Sequence, residues 1–268
     1  TVNSAYASAV NSWNPMRRPR LIARLDIKGD RLIKGIQFEG LRVIGDPWEY
    51  ALKYGAEADE LLYIDTVATL YGRNQLLPIL ADTSDDVFVP ITVGGGIRSL
   101  DDVRALLRHG ADAVAINTAA LARPDLVNEV AGVCGAQALT VSIEAKRVNG
   151  HWECYTDNGR NPTGRNALEW AEEAAGRGAG QILLTSVDRD GTMRGFDAEL
   201  IAAVTKRVAC PVIASGGLGR LEHLAPVLPH TDAVAVGAAL HYGRVTVSDL
   251  LGTVRQAAQA PKMQPVAP

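Results

Sequence analysis

Short apolar runs recur along the chain at residues 20–26, 60–65, 89–93, 113–117, 138–144, 181–187, 211–214 and 233–237. Most are apolar at successive positions rather than alternate ones, as strands covered on both faces require. Between most of them, apolar residues recur three and four apart. LDDVRALLRH at 100–109, ALEWAEEAAGR at 167–177 and DAELIAAVTKRV at 197–208 are examples, and this spacing predicts amphipathic helices. Helix starts carry the expected chemistry: Ser99 precedes Leu100-Asp101-Asp102, Asp46-Pro47 opens one helical run, and Pro124 sits just inside another. Eight strands alternating with helices predict an α/β fold, the (β/α)8 or TIM barrel. The main interruption is residues 147–163, where VNGHWECYTDNG alternates around Asn149-Gly150 and predicts a small hairpin after the fifth strand.

The strand ends repeat. Asp26 and Glu144 end strands one and five, and Asp65 and Asp188 end strands two and six. Gly94-Gly95-Gly96 and Ser215-Gly216-Gly217 follow strands three and seven, and Asn117-Thr118 and Gly237-Ala238 follow strands four and eight. The spacing is roughly 120 residues throughout, so the barrel reads as two half-barrels. An open, doubly wound sheet gives no reason for such an echo. Residues 20–255 make up the barrel. Residues 1–19 read as an N-terminal arm outside the core, and residues 256–268, with three prolines and no periodicity, as a tail.

Composition narrows the function. The chain has 268 residues, of which 47% are hydrophobic and 21% charged, enough for a sizeable core. Lys plus Arg is 27 and Asp plus Glu is 30, a net charge of −3, without the basic excess of a nucleic-acid binder. No run of 18 apolar residues suggests a membrane span. Cys134, Cys154 and Cys210 form no C-x-x-C pair and find no histidine at metal-ligand spacing. The sequence therefore points to a reducing cytoplasm and to no structural metal.

In a barrel of this kind, chemistry sits at the C-terminal ends of the strands. The glycine turns Gly94-Gly95-Gly96 and Ser215-Gly216-Gly217 let backbone N–H groups approach an anion closely. Each turn can simply be a tight strand-to-helix connection. Their symmetric pairing with Asn117-Thr118 and Gly237-Ala238 points instead to two phosphate clamps and a substrate phosphorylated at both ends. Asp26 and Glu144 would project between the clamps as general acid and base. Asp190 is placed to hold substrate hydroxyls, and Gly191 to join the second phosphate site. Asp65 is a further acidic strand end for which a structural role fits at least as well. The five histidines read as surface or structural, Cys134 and Cys210 as small core residues, and Tyr71-Gly72-Arg73-Asn74 as a solvated loop.

The motifs RLIARLDIKGDRLIKGIQFEGLR, ELLYIDTVAT, PITVGGGIRS, AVAINTAA, SIEAKRVNG, ILLTSVDRDGTMRGFD and PVIASGGLG, spread over residues 20–242, resemble in order those of a known family. It is the cyclase subunit of imidazole glycerol phosphate synthase. The resemblance implies a lyase reaction without metal or organic cofactor. Ammonia from a separate glutaminase subunit would pass through the barrel to a bisphosphorylated ribulosylformimino aminoimidazole carboxamide nucleotide. Imidazole glycerol phosphate and aminoimidazole carboxamide ribotide would result.

The resemblance also implies that Asp26 is the first catalytic carboxylate and that Lys34 is the lysine of a mobile loop over the site. Arg20 and Glu60 match members of a charged ring through which ammonia enters. This chain departs from the family at four positions. Glu144 stands for an aspartate, Arg24 for a cysteine or small residue, Ala113 for the ring lysine and Gln181 for its second glutamate. Such departures also suit a paralogue that amidinates a nucleotide-linked sugar for surface polysaccharides. A third reading is a non-catalytic barrel that regulates a glutaminase.

Overall fold

Aliphatic and β-branched runs form the strands of the computed structural model, which describes residues 18–68 and 76–259. The expected loop Tyr71-Gly72-Arg73-Asn74 and most of both terminal segments lie outside the described residues. In chain order the strands are β1 (Arg20–Lys28), β2 (Arg31–Ile36), β3 (Glu39–Gly45), β4 (Glu60–Asp65), β5 (Ile91–Gly94) and β6 (Ala113–Ile116). They continue as β7 (Leu139–Val148), β8 (His151–Thr156), β9 (Asn161–Asn166), β10 (Gln181–Ser186), β11 (Val212–Ser215) and β12 (Ala233–Val236). β1, β4, β5, β6, β7, β10, β11 and β12 pair in parallel in that order, and β12 pairs back onto β1. The sheet is therefore a closed eight-stranded barrel, as the periodicity predicts.

Side-chain alternation divides each barrel strand between two cores. On β1, Leu21, Ala23, Leu25 and Ile27 face outward and pack in the main core. Ile22 faces inward, into a second cluster with Leu62, Ile64, Ala115, Leu183, Ile213, Ala233 and Ala235. Each fully buried Leu or Ile contributes about 1.5–3 kcal/mol relative to an exposed one. The same alternation puts Arg20 at the base of the barrel and Arg24 and Asp26 at its mouth, on one line with Ile22.

The helices form where capping and spacing predict them. Leu100–Arg108 starts at Ser99 with a full capping box to Asp102. Pro47–Gly55 starts at Asp46, whose carboxylate accepts from the Trp48 and Glu49 N–H groups. Ala167–Gly176 and Ala198–Thr205 occupy the other two expected segments. Pro124 is the cap of Asp125–Cys134 rather than a residue inside it.

The connection after β11 is different, consisting of the 3-10 turns Leu221–Leu224 and Leu228–His230. Pro226 and Pro229 remove the N–H groups an α-helix would need there. The last helix, Val247–Gln259, carries regular structure into the segment read as a tail. At the other end Arg18, read as part of the arm, makes a two-bonded ion pair with Asp59 at 2.6 Å.

Two antiparallel excursions leave the mouth of the barrel. The expected one is larger than residues 147–163: β7 itself runs to Val148, turns at Asn149-Gly150 into β8, and β9 adds a further strand. The other, β2–β3, was not expected from the sequence. It pairs back onto β1 at Asp26 and Ile33 and reverses at Gln37 and Phe38, both of positive φ. The two excursions follow equivalent strands of the two half-barrels.

Candidate active site

Five charged side chains are buried together at the mouth: Arg24, Asp26, Lys34, Glu144 and Asp190. Arg24 and Asp26 are two residues apart on β1 and so point the same way. The Arg24 Nε donates to Asp26 Oδ1 at 2.8 Å. From β2, Lys34 Nζ donates to Asp26 Oδ2 at 2.5 Å and to Asp190 Oδ2 at 3.1 Å. Burial pushes the Asp26 carboxyl up, but the Arg24 and Lys34 charges and their hydrogen bonds outweigh it and hold the group well below the usual carboxylate range. Lys34, for its part, is held above the ordinary lysine value: burial opposes the charge, and Asp190 and Asp26 more than compensate.

The β2–β3 excursion lies across the mouth. At its tip the Gln37 N–H donates to the Asp190 carbonyl at 2.8 Å, and Gln37 Nε2 donates to the Asp188 carbonyl at 3.0 Å. The Phe38 ring lies 5.7 Å from the Arg24 guanidinium carbon.

Glu144, on β7, is held by the opposite kind of partner. Its Oε2 accepts the Gly159 backbone N–H at 2.7 Å, and no cation lies within ion-pairing distance among the described residues. Burial pushes its carboxyl up to about 7, against the pull of that N–H and of the more distant Arg24 charge. Gly159 follows Asp157 and Asn158 in a run of positive φ, and Asn158 Nδ2 donates to the Thr66 carbonyl. The β8–β9 turn thus reaches across the mouth to the end of β4, which β5 and β6 separate from β7.

The expected anion-binding residues fall into two clefts flanking these carboxylates. Gly95, Gly96, Asn117 and Thr118 line one, beside Glu144. Gly191, Ser215, Gly216, Gly217, Gly237 and Ala238 line the other, beside Arg24, Lys34 and Asp190. The glycine pairs have φ of 103° and 68° in the first cleft and 88° and 112° in the second, a region L side chains rarely adopt. A Cβ at Gly95 would strike the Asp65 carbonyl, and one at Gly217 the Gly195 carbonyl. The half-barrel echo extends to the backbone: Asn117 has φ −113° and ψ −85°, and Gly237 has φ −119° and ψ −79°.

Asp65 lines the first cleft and also makes structural bonds: its Oδ1 accepts the Val67 and Ala68 N–H groups at 2.9 Å. His241 is half-buried against Tyr54, with Nδ1 3.1 Å from its hydroxyl, and desolvation of the ring lowers its pKa to about 4. Cys134 and Cys210 are half-buried and Cys154 is buried. The sequence reading did not place Arg24, Phe38, Asn158 and Gly159 in the site. The two-residue spacing of Arg24 and Asp26 on a strand was a usable signal for the first.

At the base, Arg20 donates to Glu60 Oε2 at 2.6 Å and to Gln181 Oε1 at 2.7 Å. Thr92 donates its hydroxyl to Glu60 Oε1 at 2.7 Å, and Gln181 Nε2 donates to Thr140 Oγ1 at 3.0 Å. Gln181 thus occupies the position opposite Glu60 as a neutral member of the cluster, while buried Ala113 contributes no polar group.

A closed barrel of two half-repeats, with glycine turns and buried carboxylates gathered at the C-terminal ends of its strands, has the architecture of a (β/α)8-barrel enzyme. The chain belongs to the histidine biosynthesis protein family, whose sequence model matches residues 20–246. It is similar to the protein described as imidazole glycerol phosphate synthase subunit HisF from Legionella pneumophila. The two are 59% identical over 209 residues, which is 77% of this chain and 99% of that relative. Among the described residues no helix is long and apolar enough to cross a membrane.

Proposed function

We propose that this chain is the ammonia-using cyclase subunit of an imidazole glycerol phosphate synthase, acting in the cytoplasm with a glutaminase partner. The observation that carries this reading is the placement of Asp26 and Glu144 between two symmetric glycine-lined clefts. A substrate with a phosphate at each end spans the clefts, backbone N–H groups hold the phosphates, and the reacting carbons lie over the carboxylates. Asp26, kept ionised by two cations, accepts the proton. Glu144, which keeps its own proton up to about pH 7, donates one to the leaving nitrogen. Ring closure and release of the aminoimidazole carboxamide ribotide need no other cofactor in this scheme.

Two side chains favour a second reading in which the ammonia acceptor differs, such as a nucleotide-linked sugar. Arg24 fills space beneath Asp26, and Glu144 reaches one methylene further than aspartate. A misplacement of about 1 Å can cost on the order of 10²-fold in rate.

One experiment separates the readings: complementation of a strain lacking the cyclase, by the wild type and by Glu144→Asp. Growth without histidine in either case supports the cyclase reading, with Glu144→Asp equal or better because it restores the shorter carboxylate. Failure of both, with folded protein present, moves the assignment to the other acceptor.

A further inference from the structure

Asp26 is 4% exposed and lies under Lys34 and Phe38, both on the β2–β3 excursion. A displacement of that excursion would uncover the carboxylate and take Lys34 with it, because Lys34 Nζ on β2 bonds to Asp26 Oδ2. A buried carboxylate stripped of its cation loses both its orientation and its preference for the charged form. Among the described residues Arg24 is the side-chain partner of Asp26 that does not belong to the excursion. It sits on β1 itself, and its NH1 donates to Thr185 Oγ1 on β10 at 3.2 Å and to Ser215 Oγ on β11 at 3.1 Å. The guanidinium is thereby braced across the barrel by two further strands, with Nε left for Asp26. A lysine, with one terminal nitrogen, cannot reproduce this fork.

We propose that Arg24 is a positioning residue for Asp26, clamping the carboxylate from inside the barrel so that it stays oriented and ionised while the β2–β3 excursion is open. The inference rests on the reading of Asp26 as the proton-transferring group. The charged and titratable groups around Asp26 are Arg24 on β1, Lys34 on β2, Glu144 on β7, Asp190 after β10 and His241 after β12. Of these, only Arg24 and Lys34 bond to it, so two substitutions isolate the clamp.

The test needs neither substrate nor partner. The aspartate carboxyl carbons of the full chain are followed by carbon-13 NMR against pH, with the Asp26 resonance assigned by its loss in Asp26→Asn. In Arg24→Gln the Asp26 titration should move up by about 1–3 pH units with Lys34 still present. In Lys34→Gln it should move less, because the clamp remains. Arg24→Lys, which keeps the charge and folds more readily, should fall between wild type and Arg24→Gln.

An Asp26 titration that moves no further in Arg24→Gln than in Lys34→Gln would overturn the proposal. So would one that is unchanged in Arg24→Lys, should Arg24→Gln fail to fold. In turnover with saturating ammonium, Arg24→Gln should lower kcat about 10–100-fold, shift the acid limb of the pH profile upward, and change KM less than threefold. A titration that shifts as expected in a protein without ammonia-dependent activity would keep the clamp and reject the functional reading.

Discussion

Each half of the barrel ends its first strand in a carboxylate and then runs directly into an antiparallel excursion, but the two excursions deliver different partners. β2–β3 brings the Lys34 ammonium to Asp26, whereas β8–β9 brings a backbone N–H, that of Gly159, to Glu144. An ammonium brings a full charge, while a backbone N–H supplies only a dipole. The duplicated scaffold therefore places two buried carboxyls in equivalent positions and drives their protonation in opposite directions, Asp26 below the ordinary range and Glu144 up to about 7. What separates acid from base is the set of partners: Asp26 has two cations, Arg24 on β1 itself and Lys34 on the excursion, whereas Glu144 has the Gly159 N–H and no paired cation among the described residues.

The largest test of that division is Asp26→Asn, which keeps the shape and removes the charge. Proton transfer by a positioned side chain typically contributes 10²–10⁴-fold, and turnover with saturating ammonium should fall by that factor. Near-normal turnover would mean that the cation-bound carboxylate is not the base, and that the contrast with Glu144 has no catalytic meaning.

A smaller effect concerns stability. Glu144 has a raised folded-state pKa, so between the unfolded value near 4.5 and the folded value near 7 the native state holds a proton that the unfolded chain has lost. Stability therefore falls as pH rises through this window, by about 1.4 kcal/mol for each pH unit of displacement, or on the order of 3 kcal/mol in all. Asp26 behaves oppositely. Its stabilisation is present above the unfolded carboxyl value and is lost as pH falls towards the depressed folded value. Glu144→Gln still accepts the Gly159 N–H but cannot ionise. In urea unfolding, Glu144→Gln should gain on the wild type by roughly that amount between pH 5 and pH 8. Parallel curves for the two proteins would show that Glu144 titrates normally.

The same contrast bears on what the sequence could disclose. The barrel was legible because each strand is an apolar run and the strand-end residues recur near a period of 120. The β7–β8 turn was legible because Asn149-Gly150 is the residue pair that such a turn prefers. β2–β3 was not. It buries Leu32, Ile33, Lys34 and Gly35 in succession, without alternation, and reverses at Gln37 and Phe38, which carry no turn signal yet adopt positive φ. Its geometry comes from tertiary contacts, namely the Gln37 bonds to the segment after β10 and the seat of Lys34 between two aspartates. Lys34 was therefore located only through the family resemblance. Arg24 could be noted as unusual, but its brace on Thr185 and Ser215 joins strands 161 and 191 residues away, which no local pattern encodes.

At the base of the barrel the two halves differ again, and the smallest predicted effect lies there. Glu60 begins β4 and Gln181 begins β10, equivalent strands of the half-barrels, and both bond to Arg20. Gln181→Glu would put a carboxylate in each half. The local hydrogen bonding can accommodate it, because Thr140 can rotate its hydroxyl to donate where it now accepts from the amide. The cost is electrostatic. Burial already raises the Glu60 carboxyl against the pull of Arg20 and Thr92, and a second carboxylate would share the same guanidinium. Arg20 retains access to solvent, with its side chain 29% exposed, which screens the repulsion. Gln181→Glu should therefore match the wild type below about pH 4, where both carboxyls are protonated, and lose no more than about 1 kcal/mol by pH 8. Urea unfolding at the two pH values checks this. A gain in stability at pH 8 would show that Arg20 carries more positive potential than one glutamate satisfies, and that the neutral Gln181 leaves the base of the second half under-compensated.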